Sequence, residues 1–327
     1  MSYAVLRKTK SLFIPDTAST LLIGGAALFA LDVSRRIFRR SQLFVPERKP
    51  VLSWNPEDYG IPRQRTEELE LETDDGELLY GWYCRAENPI ASALYCHGNT
   101  GNLTSTAHVI PYLLDAGINI LLFDYRGFGR STGSPSLSGI IDDGLAAARL
   151  HERIRPQDLP SLLYGYSLGG AIAAQVISRH PFDGLVLQST FTNLPDLARF
   201  TFPRVPLHLV SGHLFDTMDV VRDLTVPVLI IHGTNDEVCP SWMAEQLLHS
   251  CRSGSKKLIL VDKGLHKDLF DQPDVRTLVD EIHRFAAALP CTPHVIAHQP
   301  SALDLLLDRA LRYLRRSRRR GLIQQPL

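Results

Sequence analysis

From about residue 66 onward, short and densely apolar runs alternate with longer stretches of mixed polarity. Residues 67–73 and 77–84 flank Asp74-Asp75-Gly76 and predict an antiparallel hairpin. Six further runs lie at about 91–96, 118–123, 161–166, 184–188, 227–232 and 257–261. They are apolar on successive positions, as expected of strands covered on both faces of a parallel sheet. Helical patterns fill the intervals, for example at 138–154 and 168–180. The alternation predicts an α/β class with a mostly parallel eight-stranded sheet flanked by helices. No internal repeat or low-complexity tract interrupts it.

The two ends follow different patterns. Residues 17–31 form an uncharged, mainly apolar run just short of the roughly 20 residues that a span needs, and Pro15 and Asp16 precede it. We read it as a membrane anchor; a cleaved signal peptide and a packed extension are the competing readings. Arg35, Arg36, Arg39 and Arg40 follow it, against Arg7, Lys8 and Lys10 before it, which places the side carrying the alternating runs in the cytoplasm. Near the other end, Leu303, Leu306, Leu307, Ala310, Leu311 and Leu314 recur at helical spacing. They run into Arg315-Arg316-Ser317-Arg318-Arg319-Arg320, a basic amphipathic pattern suited to an anionic membrane surface or to packing on the domain with a solvated tail. The expected organisation is an N-terminal segment over 1–64, an α/β domain over 65–288 and a C-terminal extension over 289–327.

The chemistry concentrates at strand ends. Gly165-Tyr166-Ser167-Leu168-Gly169 has the Gly-x-Ser-x-Gly form, with an apolar run before it and a helical run after it. A serine on such a sharp strand-to-helix corner is exposed at the sheet edge, beside a helix N-terminus that favours developing negative charge. Gly165 and Gly169 are expected because a Cβ there would collide across the corner. Asp236 lies just past the apolar run 227–232, and His266 just past 257–261. Serine, acid and histidine therefore occupy strand-end loops in the chain order that this chemistry uses. His266 would take the Ser167 proton and return it to the leaving group, and Asp236 would fix the imidazole tautomer. Asp236 as a turn residue and His266 as a surface residue are the plainer readings. Glu237 and Asp262 are neighbouring carboxylates at a less suitable distance from the strand. After the run 91–96 comes His97-Gly98-Asn99-Thr100-Gly101, a loop able to aim a backbone N–H at an oxyanion. Asn99 and Leu168 are the two expected donors, and His97 is expected to hold the loop rather than to react.

Together with Asp124-Tyr125-Arg126-Gly127-Phe128-Gly129-Arg130-Ser131, Gly233-Thr234-Asn235-Asp236 and Gly264-Leu265-His266, these motifs resemble the α/β-hydrolase superfamily. More narrowly they resemble its membrane-associated branch with protein depalmitoylases and monoacylglycerol-lipase-like enzymes, over about residues 65–288. The resemblance implies Ser167 as nucleophile, Asp236 as acid and His266 as base, and a serine hydrolase of esters or thioesters. Lys267 and Asp268 after the histidine depart from the small polar residue common in relatives. In this fold the interval 190–222 is where a small cap is inserted. Phe191, Phe200, Phe202, Leu207, Leu209 and Phe215 would line it for an acyl chain, or else simply pack on the core.

Composition narrows the partners. The formal charge is zero, which gives no overall signal for nucleic acid. Five cysteines without a Cys-x-x-Cys spacing indicate neither a disulfide framework nor zinc. Neither a cofactor nor a metal is called for. Arg126 and Arg130 could clamp an anion or shape the core, but no Lys-Ser or Lys-Thr follows their glycines, so a nucleotide loop is disfavoured. The sequence thus points to a serine hydrolase of a lipid-like acyl ester or thioester. A small-ester hydrolase, a serine peptidase and a non-catalytic scaffold are the alternatives.

Overall fold

The computed structural model describes residues 43–201, 203 and 215–292. The N-terminal apolar run, the basic C-terminal pattern and residues 202 and 204–214 of the cap interval lie outside these residues. Among the described residues no helix is long and apolar enough to cross a membrane.

Eight strands form one sheet: β1 (Thr66–Glu72), β2 (Leu78–Cys84), β3 (Ala91–Cys96), β4 (Ile118–Phe123), β5 (Ser161–Tyr166), β6 (Gly184–Gln188), β7 (Val228–Gly233) and β8 (Lys256–Val261). Their spatial order is β1-β2-β4-β3-β5-β6-β7-β8. The β1–β2 and β2–β4 pairs are antiparallel and all others parallel. This is the α/β-hydrolase fold, and each expected strand is present within a residue or so of its sequence position. The connecting helices are α1 (Ile110–Asp115), α2 (Leu137–Ile154), α3 (Leu168–Ile177), α4 (Leu194–Thr201), α5 (Thr217–Asp223), α6 (Trp242–Ser250) and α7 (Val275–Ala287).

The period-two geometry of a strand divides the apolar residues between two cores. Leu94, Leu163, Leu187 and Ile230 face α2, α3 and α6. Tyr95, Tyr164, Val186 and Ile231 face α1 and α7. Strands buried on both faces need both sets, hence the unbroken apolar runs. Only the two edge strands carry charge along their length. Glu67, Glu68 and Glu70 are exposed on β1, and Lys256 and Lys257 on β8, which discourages pairing with another sheet.

Two expectations shift. Residues 43–64, assigned from sequence to the N-terminal segment, pack on the catalytic body. Phe44 and Ile61 are buried in the two cores, and Val45–Pro46 pairs in parallel with Thr100–Gly101. Within the cap interval, Phe191 and Phe215 belong to the main core, whereas Phe200 is exposed. Phe202, Leu207 and Leu209 lie outside the described residues.

The Asp124–Ser131 segment is structural in this body. Arg126 binds Asp143 through Nε and Nη2 at 2.9 and 2.8 Å and Asp75 through Nη1 at 2.7 Å, tying the β1–β2 turn to α2. Arg130 lies over the rings of Trp54 and Tyr80. With its partners already in place, the Arg126 guanidinium is not the anion clamp considered from sequence.

Candidate active site

Ser167 sits between β5 and α3 with φ 54° and ψ −122°, a backbone region that a side-chain-bearing residue rarely adopts. Three hydrogen bonds hold it there. Its N–H donates to the Gln188 carbonyl at 2.9 Å, and its carbonyl accepts from Gly170 N at 2.9 Å and from Thr190 Oγ1 at 2.8 Å. The glycines are explained by contact. A Cβ at Gly165 would lie 2.5 Å from the Gly169 carbonyl oxygen, across the corner as expected. At Gly169 it would lie 2.0 Å from the carbonyl oxygen of Cys96, so that glycine lets the helix start approach the end of β3 rather than its own strand.

The corner places Ser167 Oγ 2.9 Å from His266 Nε2. His266 Nδ1 faces both oxygens of Asp236, at 3.0 and 2.9 Å. A carboxylate can only accept, so Nδ1 carries the hydrogen and Nε2 presents its lone pair to the serine hydroxyl. All three side chains are almost completely buried. Burial alone would raise the Asp236 carboxyl, but hydrogen bonds from His232 and His266 and from the Cys239 amide hold it well below the usual carboxylate range. It therefore stays ionised and can stabilise an imidazolium. The structure brings together the three residues read from the sequence. Glu237, the neighbouring carboxylate, instead accepts from the His266 backbone N–H at 3.2 Å.

The two expected oxyanion donors flank the serine. Leu168 is the first residue of α3, and its N–H belongs to the helix turn that lacks intrahelical acceptors. Asn99 follows Gly98, whose Cα is so near the nucleophile that a Cβ there would meet Ser167 Cβ at 3.5 Å and the Tyr166 ring at 3.2 Å. His97 holds the loop, as expected. Its Nδ1 donates to the Gly98 carbonyl at 2.8 Å, and burial brings its ring down to about 4, so it is neutral at ordinary pH. Its Nε2 lies 3.6 Å from Asp124 Oδ1, too far for a direct hydrogen bond. Burial raises the Asp124 carboxyl to about 7, even though it accepts from Leu103 N at 2.6 Å.

Sequence reasoning missed three contributors. His232, on β7 four residues before the acid, donates from Nε2 to the Cys239 carbonyl at 2.6 Å and lies 3.3 Å from Asp236 Oδ2. Its i, i+4 spacing to Asp236 was the available signal. Tyr166 donates to the His266 carbonyl at 3.3 Å and walls the site. The third contributor is the stretch around Val45, whose apolar-polar pattern carries no hint of its partner.

A cavity of about 360 Å³ opens beside the serine. Gly98, Asn99, Tyr166, Val238 and His266 line it, together with Tyr95, Gln188, Thr100, His108 and Lys267. Among the described residues no group of side chains has the spacing to hold a metal ion.

Comparison with known proteins fits this geometry. The model of a family described as Serine aminopeptidase, S33 matches residues 87–221 and 213–273. The protein YfhR of Escherichia coli K12 is 34% identical over 233 residues, covering 66% of this chain and 79% of its own. YNL320W of Saccharomyces cerevisiae, named as an uncharacterized membrane protein, is 28% identical over 271 residues, covering 78% and 92%. Among solved structures, the esterase Pf2001 of Pyrococcus furiosus superposes with a TM-score of 0.61 at 19% identity, covering 75% of this chain and 97% of that one.

Two outcomes follow from the geometry around Asp236 and Asp124. Asp236→Asn should lower kcat by about 10³- to 10⁴-fold by stabilising the wrong His266 tautomer. Glu237→Gln, which keeps an acceptor for the His266 amide, should cost less than about tenfold; steady-state kinetics of the two variants decide between the carboxylates. Asp124 binds its proton more tightly in the folded chain than in the unfolded one. Its contribution to stability is therefore complete below the ordinary value of 3.8 and is lost as pH rises through about 7. Thermal denaturation from pH 6 to 8.5 should show Asp124→Asn gaining on the wild type as pH rises, by at least about 2–4 °C, which corresponds to roughly 1 kcal/mol in a domain of this size.

Proposed function

The chain belongs to the Serine aminopeptidase, S33 family of α/β-hydrolases, and we propose that it is a serine hydrolase cleaving a carboxylic ester or thioester of a lipid-like acyl group. The observation that carries this is the continuous path from Ser167 Oγ through both ring nitrogens of His266 to an ionised Asp236, with each step at 2.9 to 3.0 Å. In the reaction, Ser167 Oγ attacks the acyl carbon as its proton passes to His266 Nε2. The N–H groups of Asn99 and Leu168 receive the oxyanion. Collapse breaks the bond to the leaving oxygen or sulfur, which takes the proton from His266. Water, deprotonated by His266, then releases the acid from the acyl-enzyme and restores the Ser167 hydroxyl.

One feature favours ester over N-terminal peptide. An aminopeptidase must pair the substrate's ammonium group, and a carboxylate in the site wall is the natural partner. Among the described residues lining the cavity there is no Asp or Glu; the charged side chain there is Lys267. Support for an apolar acyl group comes from Val238, which lines the cavity and is 40% exposed on the loop of the acid. Membrane attachment through the apolar run 17–31 fits the same reading, as does the name of the yeast relative. A non-catalytic scaffold gives no reason to keep a serine in a strained backbone region beside a correctly oriented imidazole.

Ser167→Ala should abolish labelling by a fluorophosphonate and lower kcat by about a thousandfold or more. Across p-nitrophenyl esters of two to sixteen carbons, assayed below micelle formation, kcat/KM should climb until the cavity is full. Each buried methylene contributes about 0.8 kcal/mol, or roughly fourfold. A steady fall from acetyl onward would reject the lipid-like acyl group in favour of a small ester. Removal of residues 1–40, which spares Phe44, should move the protein from the membrane to the soluble fraction in a fractionation assay. A full-length chain that is already soluble would count against the anchor.

A further inference from the structure

The loop that carries Asn99 is pinned from both sides, and one of the pins comes from outside the sheet. The Gly98–Asn99 peptide has its carbonyl on the His97 ring at 2.8 Å. The described chain contains no cis peptide bond, so the Asn99 N–H points opposite to that carbonyl. The next peptide has its carbonyl on Val45: the Val45 N–H donates to Asn99 O at 2.9 Å. Two residues further, Glu47 N donates to Gly101 O at 2.8 Å. The Glu47 carbonyl accepts from Asn102 Nδ2 at 2.9 Å and from Gly129 N at 3.0 Å. Residues 44–47 thus form an arm lying across two strand-end loops. Phe44 anchors the arm in the main core at 4% exposure, whereas the Val45 side chain is 48% exposed. At Val45 the arm therefore holds the loop by its backbone, not by apolar burial.

We propose that the Phe44–Glu47 arm is a positioning element for the oxyanion hole, holding the Asn99 residue in place through the Val45 N–H···O=C Asn99 bond. The proposal rests on the reading of Ser167 as nucleophile. Two adjacent peptide planes determine the orientation at Asn99. The His97 ring fixes the plane that carries the Asn99 N–H and the arm fixes the plane that follows it, so losing the arm leaves Asn99 held from one side only and able to shift. An oxyanion donor acts only when it is aimed at the tetrahedral oxygen, and a displacement of about 1 Å costs up to about 100-fold in rate. Substrate binding depends less on that aim, because the charge on the oxygen develops only in the transition state.

The test compares Val45→Pro, which deletes the single N–H donor, with Val45→Ala, which keeps it. Residue 45 already precedes Pro46 and is confined to extended backbone by it. Phe44→Ala serves as a second route, loosening the arm without removing any donor. The readouts on the full chain are kcat and KM for its preferred p-nitrophenyl ester, the inhibition constant of an alkylboronic acid that forms a tetrahedral adduct on serine, and Tm. Val45→Pro should lower kcat by about 10- to 100-fold and weaken the boronic acid by a similar factor, with KM within about twofold. Val45→Ala should stay within about twofold of wild type in all three, and Phe44→Ala should repeat the kcat loss. If Val45→Pro is unfolded by its Tm, Phe44→Ala decides. Wild-type kcat in the folded arm variants overturns the proposal, as does a loss confined to KM. An active wild type with an inactive Ser167→Ala and unaffected arm variants removes the arm's role alone. A wild type with no esterase activity and an unlabelled Ser167 removes the hydrolase reading and the arm's role with it.

Discussion

The structure is organised by one backbone constraint, the φ of 54° at Ser167. A residue with a side chain pays about 1–3 kcal/mol to stay in such a region, and it persists only if its surroundings over-determine it. They do so here through bonds to β6, to the first turn of α3 and to the hydroxyl of Thr190. Those bonds require β5 to lie beside β6 and α3 to begin immediately. The short corner in turn leaves no room for a Cβ at Gly165 or Gly169. The apolar content of α3 belongs to the same arrangement. Every one of its residues except Gln175 is buried, so the helix behind the nucleophile is a core element rather than a surface one.

The acid is arranged on the opposite logic. Nothing about the backbone of Asp236 is strained; its state is set by donors. Val238 N and Cys239 N reach Oδ1 at 2.9 and 2.7 Å, and the two imidazoles approach from His232 and His266. A buried carboxylate with that many donors is stable as an anion, while Asp124, more deeply buried and with fewer donors, is driven toward its neutral form. Two aspartates at strand ends of one sheet therefore differ in charge state because Asp124 is the more desolvated, while Asp236 has more donors and the charge of His266 beside it.

Much of this was legible in the sequence, and the reason is physical. Strands covered on both faces must be apolar at successive positions, which marked the inner strands, while the Asp74-Asp75-Gly76 turn marked the edge hairpin. The elbow needs glycines at fixed offsets, and the acid and histidine must follow strand ends. Those requirements leave residue-type patterns. What stayed hidden depends on contacts without such a pattern. The Val45 bond to Asn99 uses backbone atoms that every residue but proline possesses. The pairing of Arg126 with Asp75 and Asp143 joins positions far apart in the chain, and only the folded body shows which acid meets which base. His232 was readable in principle, yet a histidine inside an apolar strand carries no mark of the direction its ring takes.

The placement of the histidine has a consequence for the timing of synthesis. Ser167 and His266 are separated by 99 positions in the chain. At ~5–20 residues per second, the ribosome delivers His266 about 5–20 s after Ser167. Until β8 is added at the edge of the sheet, the elbow carries an ordinary serine hydroxyl with no group to take its proton. On the proposed reading, a nascent chain is inert toward acyl groups around it, and the last described strand to emerge is the one that completes the pair.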